Sequence, residues 1–262
     1  MAAFSVTIKT EYQRLFAGCV IREAKYAMID SCVKTITGGK QQYEAIAAAS
    51  KIPWYFIGIV HMMECSCNFK KHLHNGDPLT AKTVRVPKGY PKNGNPPFTF
   101  LDSAIDALNV EGFTQWSNWS IAGMLYCFEK YNGFGYRKKN INSPYLWSGS
   151  NNYSKGKYVK DGIFDPQAVS SQVGTAVILR RMSELQIAIA GEKDSISTIK
   201  DLGKEVKFEP DQYHLNAEQL QRLLNAVGQQ LRIDGFAGRH TSDAYQRISG
   251  DYLEGDIERT NA

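Results

Sequence analysis

The stretch Pro53-Trp-Tyr-Phe-Ile-Gly-Ile-Val-His61-Met-Met-Glu64-Cys65-Ser-Cys67-Asn-Phe69-Lys-Lys-His72-Leu-His74-Asn75-Gly-Asp77-Pro-Leu-Thr80 sets the reading of this chain. Proline is suited to the first turn of a helix, where no backbone N–H is needed. From Trp54 to Cys65 nearly every side chain is apolar. A helix apolar on all sides belongs in the middle of a core. At its end, Ile57, Val60, His61 and Glu64 fall in one helical stripe, so a carboxyl group shares its face with apolar neighbours. A polar, proline- and glycine-rich stretch follows at once, and it carries a second carboxylate, Asp77.

Outward from this helix the periodicity predicts a mainly α fold. A long helix is expected over 9–36, ended by Gly38-Gly39, and an Ala-rich one over 40–50. Ala81–Val86 alternates and predicts a short strand. Helices are expected over 99–109, 117–130 and from Asp165-Pro166 to Met182, with a long ordered surface loop over 132–165. The charged stretch 191–210 reads as a linker between a domain at 1–190 and a small one at 211–262. In the latter, Leu215, Leu220, Leu223, Leu224 and Val227 mark one helix, and a tight turn at Asp234-Gly235 leads into another.

With 43% hydrophobic and 22% charged residues the composition is that of a soluble globular protein. No run approaches a membrane span, and the N-terminus has no basic stretch followed by an apolar core, so no secretory signal is expected. The net charge of +5 comes from scattered cations with no basic helix stripe, which argues against nucleic acid and suits an anionic wall. Five Cys without a CxxC spacing point to neither a disulfide framework nor a zinc ribbon. They fit a reducing cytoplasm as the place of synthesis.

Burial disfavours an ionised carboxylate and raises the Glu64 pKa, and the negative end of the helix dipole acts in the same direction. A carboxylic acid protonated near neutral pH is what cleavage of a glycosidic bond needs at the leaving oxygen. Asp77 is the candidate partner that holds the attacking water, although Asn75-Gly-Asp-Pro is also an ordinary turn sequence. Three of the five His, at 61, 72 and 74, cluster with Glu64, but their spacing matches no zinc hydrolase, so neither metal nor other cofactor is expected. Cys65 and Cys67 lack a Cys–His–Asn pattern. The aromatic-rich stretch 116–158 offers ring faces for sugars: Trp119, Tyr126 and Phe128 read as core. Tyr131, Asn132, Tyr145, Asn152 and Tyr153, with His74, Asn75 and Thr80, are the candidate sugar contacts.

Glu64 followed by His-Leu-His-Asn-Gly-Asp-Pro-Leu-Thr80, then Tyr131-Asn-Gly-Phe-Gly-Tyr-Arg137 and Ser143-Pro-Tyr-Leu-Trp-Ser148, resembles the lysozyme-like muramidases of phages and bacteria. The likeness is to the group related to goose-type lysozymes and lytic transglycosylases, and it covers residues 8–185. It implies a helical catalytic domain with Glu64 as general acid, Asp77 assisting the water, and Tyr131 and Asn132 lining the sugar cleft. The helix Leu220–Asn225 and the turn Ile233–Thr241 resemble a small three-helix peptidoglycan-binding domain, which implies wall contact at Asp234, Gly235 and Arg239. Together these imply a monomeric endolysin that reaches bacterial peptidoglycan after release through a holin-type pore. The rival expectations are a lytic transglycosylase needing only Glu64, a metal peptidase on the His cluster, and a non-catalytic wall-binding or virion protein.

Overall fold

The computed structural model describes residues 3–160, 162–185, 187 and 192–256. The chain divides into two compact units, Met1–Ala188 and Ile189–Ala262. It is mainly helical, and its one sheet among the described residues has two strands. Among the described residues no single helix is long and apolar enough to cross a membrane.

In the first unit, α1 (Val6–Ala17) starts where the Ser5 side chain accepts from the Ile8 N–H, and stops at Gly18. The single helix expected over 9–36 is therefore two, since α2 (Tyr26–Gly38) begins after a break. α3 (Lys40–Ser50) and α4 (Trp54–Cys65) run as their sequences predict. In α4, Phe56 through His61 are all buried. Gly58 lets α4 approach α2: a Cβ there would sit 2.6 Å from Ile36. Immediately after Cys65 the backbone turns left-handed at Ser66 and Cys67, and this throws the chain into the loop that follows.

The alternating stretch 81–86 forms no strand; its polar groups are tied to neighbouring loop segments, as in Thr83 N–H to Tyr90 C=O at 2.8 Å. α5 (Phe100–Val110) is capped by Thr99, and α6 (Ile121–Asn132) by Ser120. The expected loop at 132–165 contains α7 (Pro144–Trp147) and an antiparallel hairpin, β1 (Lys157–Lys160) with β2 (Ile163–Asp165). α8 (Thr175–Glu184) starts later than its Asp-Pro signal, because Asp165 caps a local turn through Gln167 and Ala168 instead. The aromatic core centres on Phe56, which stacks on Phe128 at 4.6 Å and meets Trp119 and Phe113 edge-on.

In the second unit the expected linker is largely α9 (Glu192–Gly203), and Ile199 and Val206 are part of the core. α10 (Leu215–Ala226) and α11 (Arg239–Ser249) complete it around Leu220, Leu224, Ala244 and Tyr245. A charged stretch with three apolar residues, Ile196, Ile199 and Leu202, reads as solvated in isolation; packing of Ile199 and Leu202 makes it a helix.

Candidate active site

Glu64 occupies the last turn of α4, where the helix ends at the left-handed Ser66. Tyr145, from the short α7, donates its hydroxyl to Glu64 Oε1 at 2.9 Å. α7 itself is tied to α8, since the Thr175 hydroxyl donates to the Tyr145 carbonyl at 3.2 Å. Tyr131, in the last turn of α6, donates to the Leu73 carbonyl at 2.9 Å and so fastens the loop after Glu64 to α6.

Burial pushes the Glu64 carboxyl above its usual range; the Tyr145 hydrogen bond opposes that shift and the charge of Glu111 adds to it. Glu111 follows directly on α5 and is itself raised by burial, against the pull of Lys130. Lys130 donates to the Glu111 carbonyl and lies 5.1 Å over the Phe113 ring, which stacks with Tyr131. Tyr131 and Tyr145 are both held far from ionisation, first by burial and then by the charges of Glu64 and Glu111. The tyrosines are therefore hydrogen-bond donors here, and Glu64 and Glu111 are the carboxyl groups beside them.

Glu111 was not among the residues expected from sequence. The signal for it was present: like Glu64, it is a carboxylate placed at a helix C-terminus, where the dipole disfavours charge, and it stands before Gly112.

Of the other expected contacts, the structure brings Tyr131 and Tyr145 to Glu64 and gives most of the rest different partners. Asp77 is buried, and its Oδ2 accepts from the Val84 and Arg85 N–H groups at 2.8 and 3.0 Å. Its Oδ1 accepts from Arg85 Nε at 2.6 Å. Burial alone would raise its pKa, but these bonds outweigh it and hold the group at about 2. The Asn75 side chain donates to the Arg85 carbonyl and accepts from the Asp77 N–H. Together they staple the loop. Asn152 donates to the Leu15 carbonyl at 2.7 Å, and Tyr153 is buried with its hydroxyl on the Gly156 carbonyl. Thr80 and Asn132 are exposed.

The His cluster is dispersed among separate partners. His61 Nδ1 meets the Tyr43 hydroxyl at 2.8 Å, and burial lowers its pKa to about 4. His72 bridges Ser103 and the Ala81 carbonyl, and His74 Nε2 pairs with Asp106 at 2.9 Å. Among the described residues no group of three or more His, Cys, Asp or Glu is placed to hold a metal ion.

In the second unit, Asp234 Oδ1 accepts from Gln221 Nε2 and the Phe236 N–H, while the Asp234 and Gly235 N–H groups both donate to Gln221 Oε1. Gly235 is left-handed at φ +74° with the Tyr213 ring 2.5 Å from where a Cβ would lie, so only glycine fits. These two residues build the turn. Arg239, exposed at the start of α11, and Asp234 line a cavity of about 330 Å³.

Asp77→Asn is expected to lower stability by about 1–3 kcal/mol through its lost charge-assisted bonds. The wild-type contribution is present above the ordinary carboxylate value and lost as pH falls from there toward about 2, so the variant's deficit shrinks in acid. Urea unfolding at pH 7 and pH 3 measures both. An activity loss of a hundredfold in a variant of near-native stability would instead put Asp77 in the chemistry.

No family model, curated protein or solved structure matches this chain.

Proposed function

We propose that the first unit is a peptidoglycan hydrolase that cleaves the β-1,4 bond between N-acetylmuramic acid and N-acetylglucosamine, and that the second unit holds it on the wall. The observation that carries this is Glu64: a carboxyl at the end of a buried helix, shifted toward its protonated form and oriented by the Tyr145 hydroxyl. The sequence resemblance to lysozyme-like muramidases supports the same reading.

In this mechanism Glu64 gives its proton to the glycosidic oxygen as the C1–O bond breaks. Water adds to C1, and its proton passes to a base. Glu111 is the carboxylate we assign to that role: it ends α5, its carbonyl is held by Lys130 from α6 beside Tyr131, and its charge bears on Glu64, Tyr131 and Tyr145. Wall attachment by the second unit raises the local substrate concentration with no new contact at the reacting bond.

The acid must be protonated, so its pKa sets the alkaline limb of the pH–rate profile. Tyr145 lowers the Glu64 pKa, and Tyr145→Phe is expected to move that limb to higher pH. Glu111 raises it, and Glu111→Gln is expected to lower the rate, through loss of the base, and to move the limb of the remaining activity to lower pH. Turbidity loss of purified sacculi, followed from pH 4 to 9, tests the pair. Shifts of the same sign in both variants contradict the assignment.

A further inference from the structure

The His-Leu-His motif does not reach Glu64, and its two imidazoles are spent on the back of another site. His72 is bonded to Ser103 at 2.7 Å and His74 to Asp106 at 2.9 Å, so both clamp the loop to α5. The Phe98 N–H donates to the Leu79 carbonyl at 2.9 Å, and its ring meets His72 at 5.6 Å. Between the proline-rich segment 91–99 and the outer face of α5, these ties frame a cavity of about 540 Å³. That is within the range of roughly 300–1,000 Å³ for small-ligand pockets. None of Glu64, Tyr131 or Tyr145 lines it.

Its lining has a definite chemistry. Asp102 and Asp106 supply carboxylates, and Asn93, Asn95 and Asn109 supply amides. Phe98, Pro97 and Ile105 supply apolar surface. Among the described residues that line it there is no Lys, Arg or His, in a chain of net charge +5. Asp102 and Asp106 stand four residues apart on one helix face, so their charges reinforce each other. Carboxylates and amides together satisfy both the hydroxyls and the acetamido group of an amino sugar, and carboxylate–hydroxyl bonds are the strong, charge-assisted kind. The apolar groups match the C–H face of a pyranose ring. The two carboxylates, Asp106 bonded to His74 and Asp102 to Thr99 through one oxygen each, disfavour sugars that carry a carboxylate.

We propose that this cavity is a second saccharide-binding site that takes a neutral N-acetylhexosamine unit and excludes carboxylated sugars. It lies beside the proposed cleft in the chain, since Asn109 and Thr114 flank Glu111. The choice of an N-acetylated sugar rests on the peptidoglycan reading; the preference for a neutral saccharide rests on the cavity alone.

The test is NMR titration of the full-length Glu64→Gln protein with chitotetraose and, separately, with an oligogalacturonate. Saturable shifts in residues 93–109 with chitotetraose and none with the uronate are expected. Ile105→Trp, which fills the cavity, and the exposed pair Asn93→Ala with Asn95→Ala should each weaken that binding at least tenfold. Because Ile105 is half-buried, the alanine pair decides the matter if the tryptophan variant misfolds. Chitotetraose shifts confined to the surroundings of Glu64 and Tyr145 overturn the inference and leave the hydrolase standing. Equal response to the uronate overturns it as well. Unchanged muropeptide release in Glu64→Gln sinks the hydrolase reading, while shifts at 93–109 would still establish the cavity as a saccharide site.

Discussion

Glu64→Gln is expected to cut the release of soluble muropeptides from purified peptidoglycan by about 10²–10⁴-fold, the usual contribution of a general acid. The glutamine keeps the shape and can still accept the Tyr145 hydroxyl, so the change removes the transferable proton and little else. Folding should not suffer. A carboxyl whose folded pKa is raised binds its proton more tightly in the folded chain than in the unfolded one. Stability therefore falls as pH rises from the ordinary carboxylate value through the raised one. Glutamine has no such dependence, so at pH 7 the variant should melt at or above the wild-type temperature. An inactive but undiminished protein is the signature of a group placed for chemistry at a cost in stability. Mass spectrometry of the wild-type products distinguishes the nucleophile. Reducing ends mark water as the nucleophile and give Glu111 its role as base. Anhydro-muramic ends would mean that the sugar's own 6-hydroxyl attacks, and Glu111 would then only tune Glu64. Equal activity in wild type and variant would refute the assignment of Glu64.

The perturbed carboxyl of Glu64 was readable in sequence because one short segment carries both the reason for its raised pKa and its position. An all-apolar helix that ends in a carboxylate needs no tertiary information to be recognised as unusual. The same holds for α3, α4 and α5, whose proline, cap residues and periodicity agree with one another. Glu111 escaped notice because its meaning is relational: Glu64 and Glu111 are 47 residues apart, and only packing brings their fields together. Asp77 illustrates the reverse. A short-range pattern suggested a second catalytic carboxylate, but Arg85, eight residues on, supplies both a backbone and a side-chain donor to it. A turn aspartate with that many donors is already satisfied. The 132–165 region was read as loop since α7 is one turn long and the hairpin strands are three and four residues, too short to show a period. Tyr131 and Tyr145 were singled out by the resemblance and the aromatic richness, and the structure sets Tyr145 on the Glu64 carboxyl and Tyr131 on the loop that follows it. Asn152 and Tyr153, drawn from the same composition, turned inward to hold backbone carbonyls.

Arg137, in the segment Tyr131–Arg137, is where the largest stability effect is expected. Its guanidinium donates to Glu129 Oε2 at 2.9 Å and to Glu11 Oε2 at 2.9 Å, and stacks 5.0 Å over the Tyr12 ring. Glu129 is 3% exposed and also accepts the Tyr12 hydroxyl. This cluster ties α1 to α6 and to the 3-10 helix Phe134–Lys139 that follows it, where Arg137 stands six residues beyond Tyr131. Arg137→Met would leave a buried carboxyl without its cation, which in comparable pairs costs about 3–5 kcal/mol. Burial already raises the Glu129 pKa despite Arg137; without the cation the rise is larger. The folded variant then holds its proton to higher pH than the unfolded chain does, so its deficit relative to wild type widens as pH rises above the ordinary carboxylate range. At pH 4, where Glu129 is largely protonated in both proteins, the gap should be small. A second change, Glu129→Leu, removes the stranded carboxyl and should recover part of the loss at pH 7, because an apolar pair has no charge to desolvate. Urea unfolding of the three proteins at pH 4 and pH 7 measures each quantity. A single-variant loss below about 1 kcal/mol at pH 7, the level of a surface pair, would show that the cluster is solvated and does not anchor the helix that presents Tyr131.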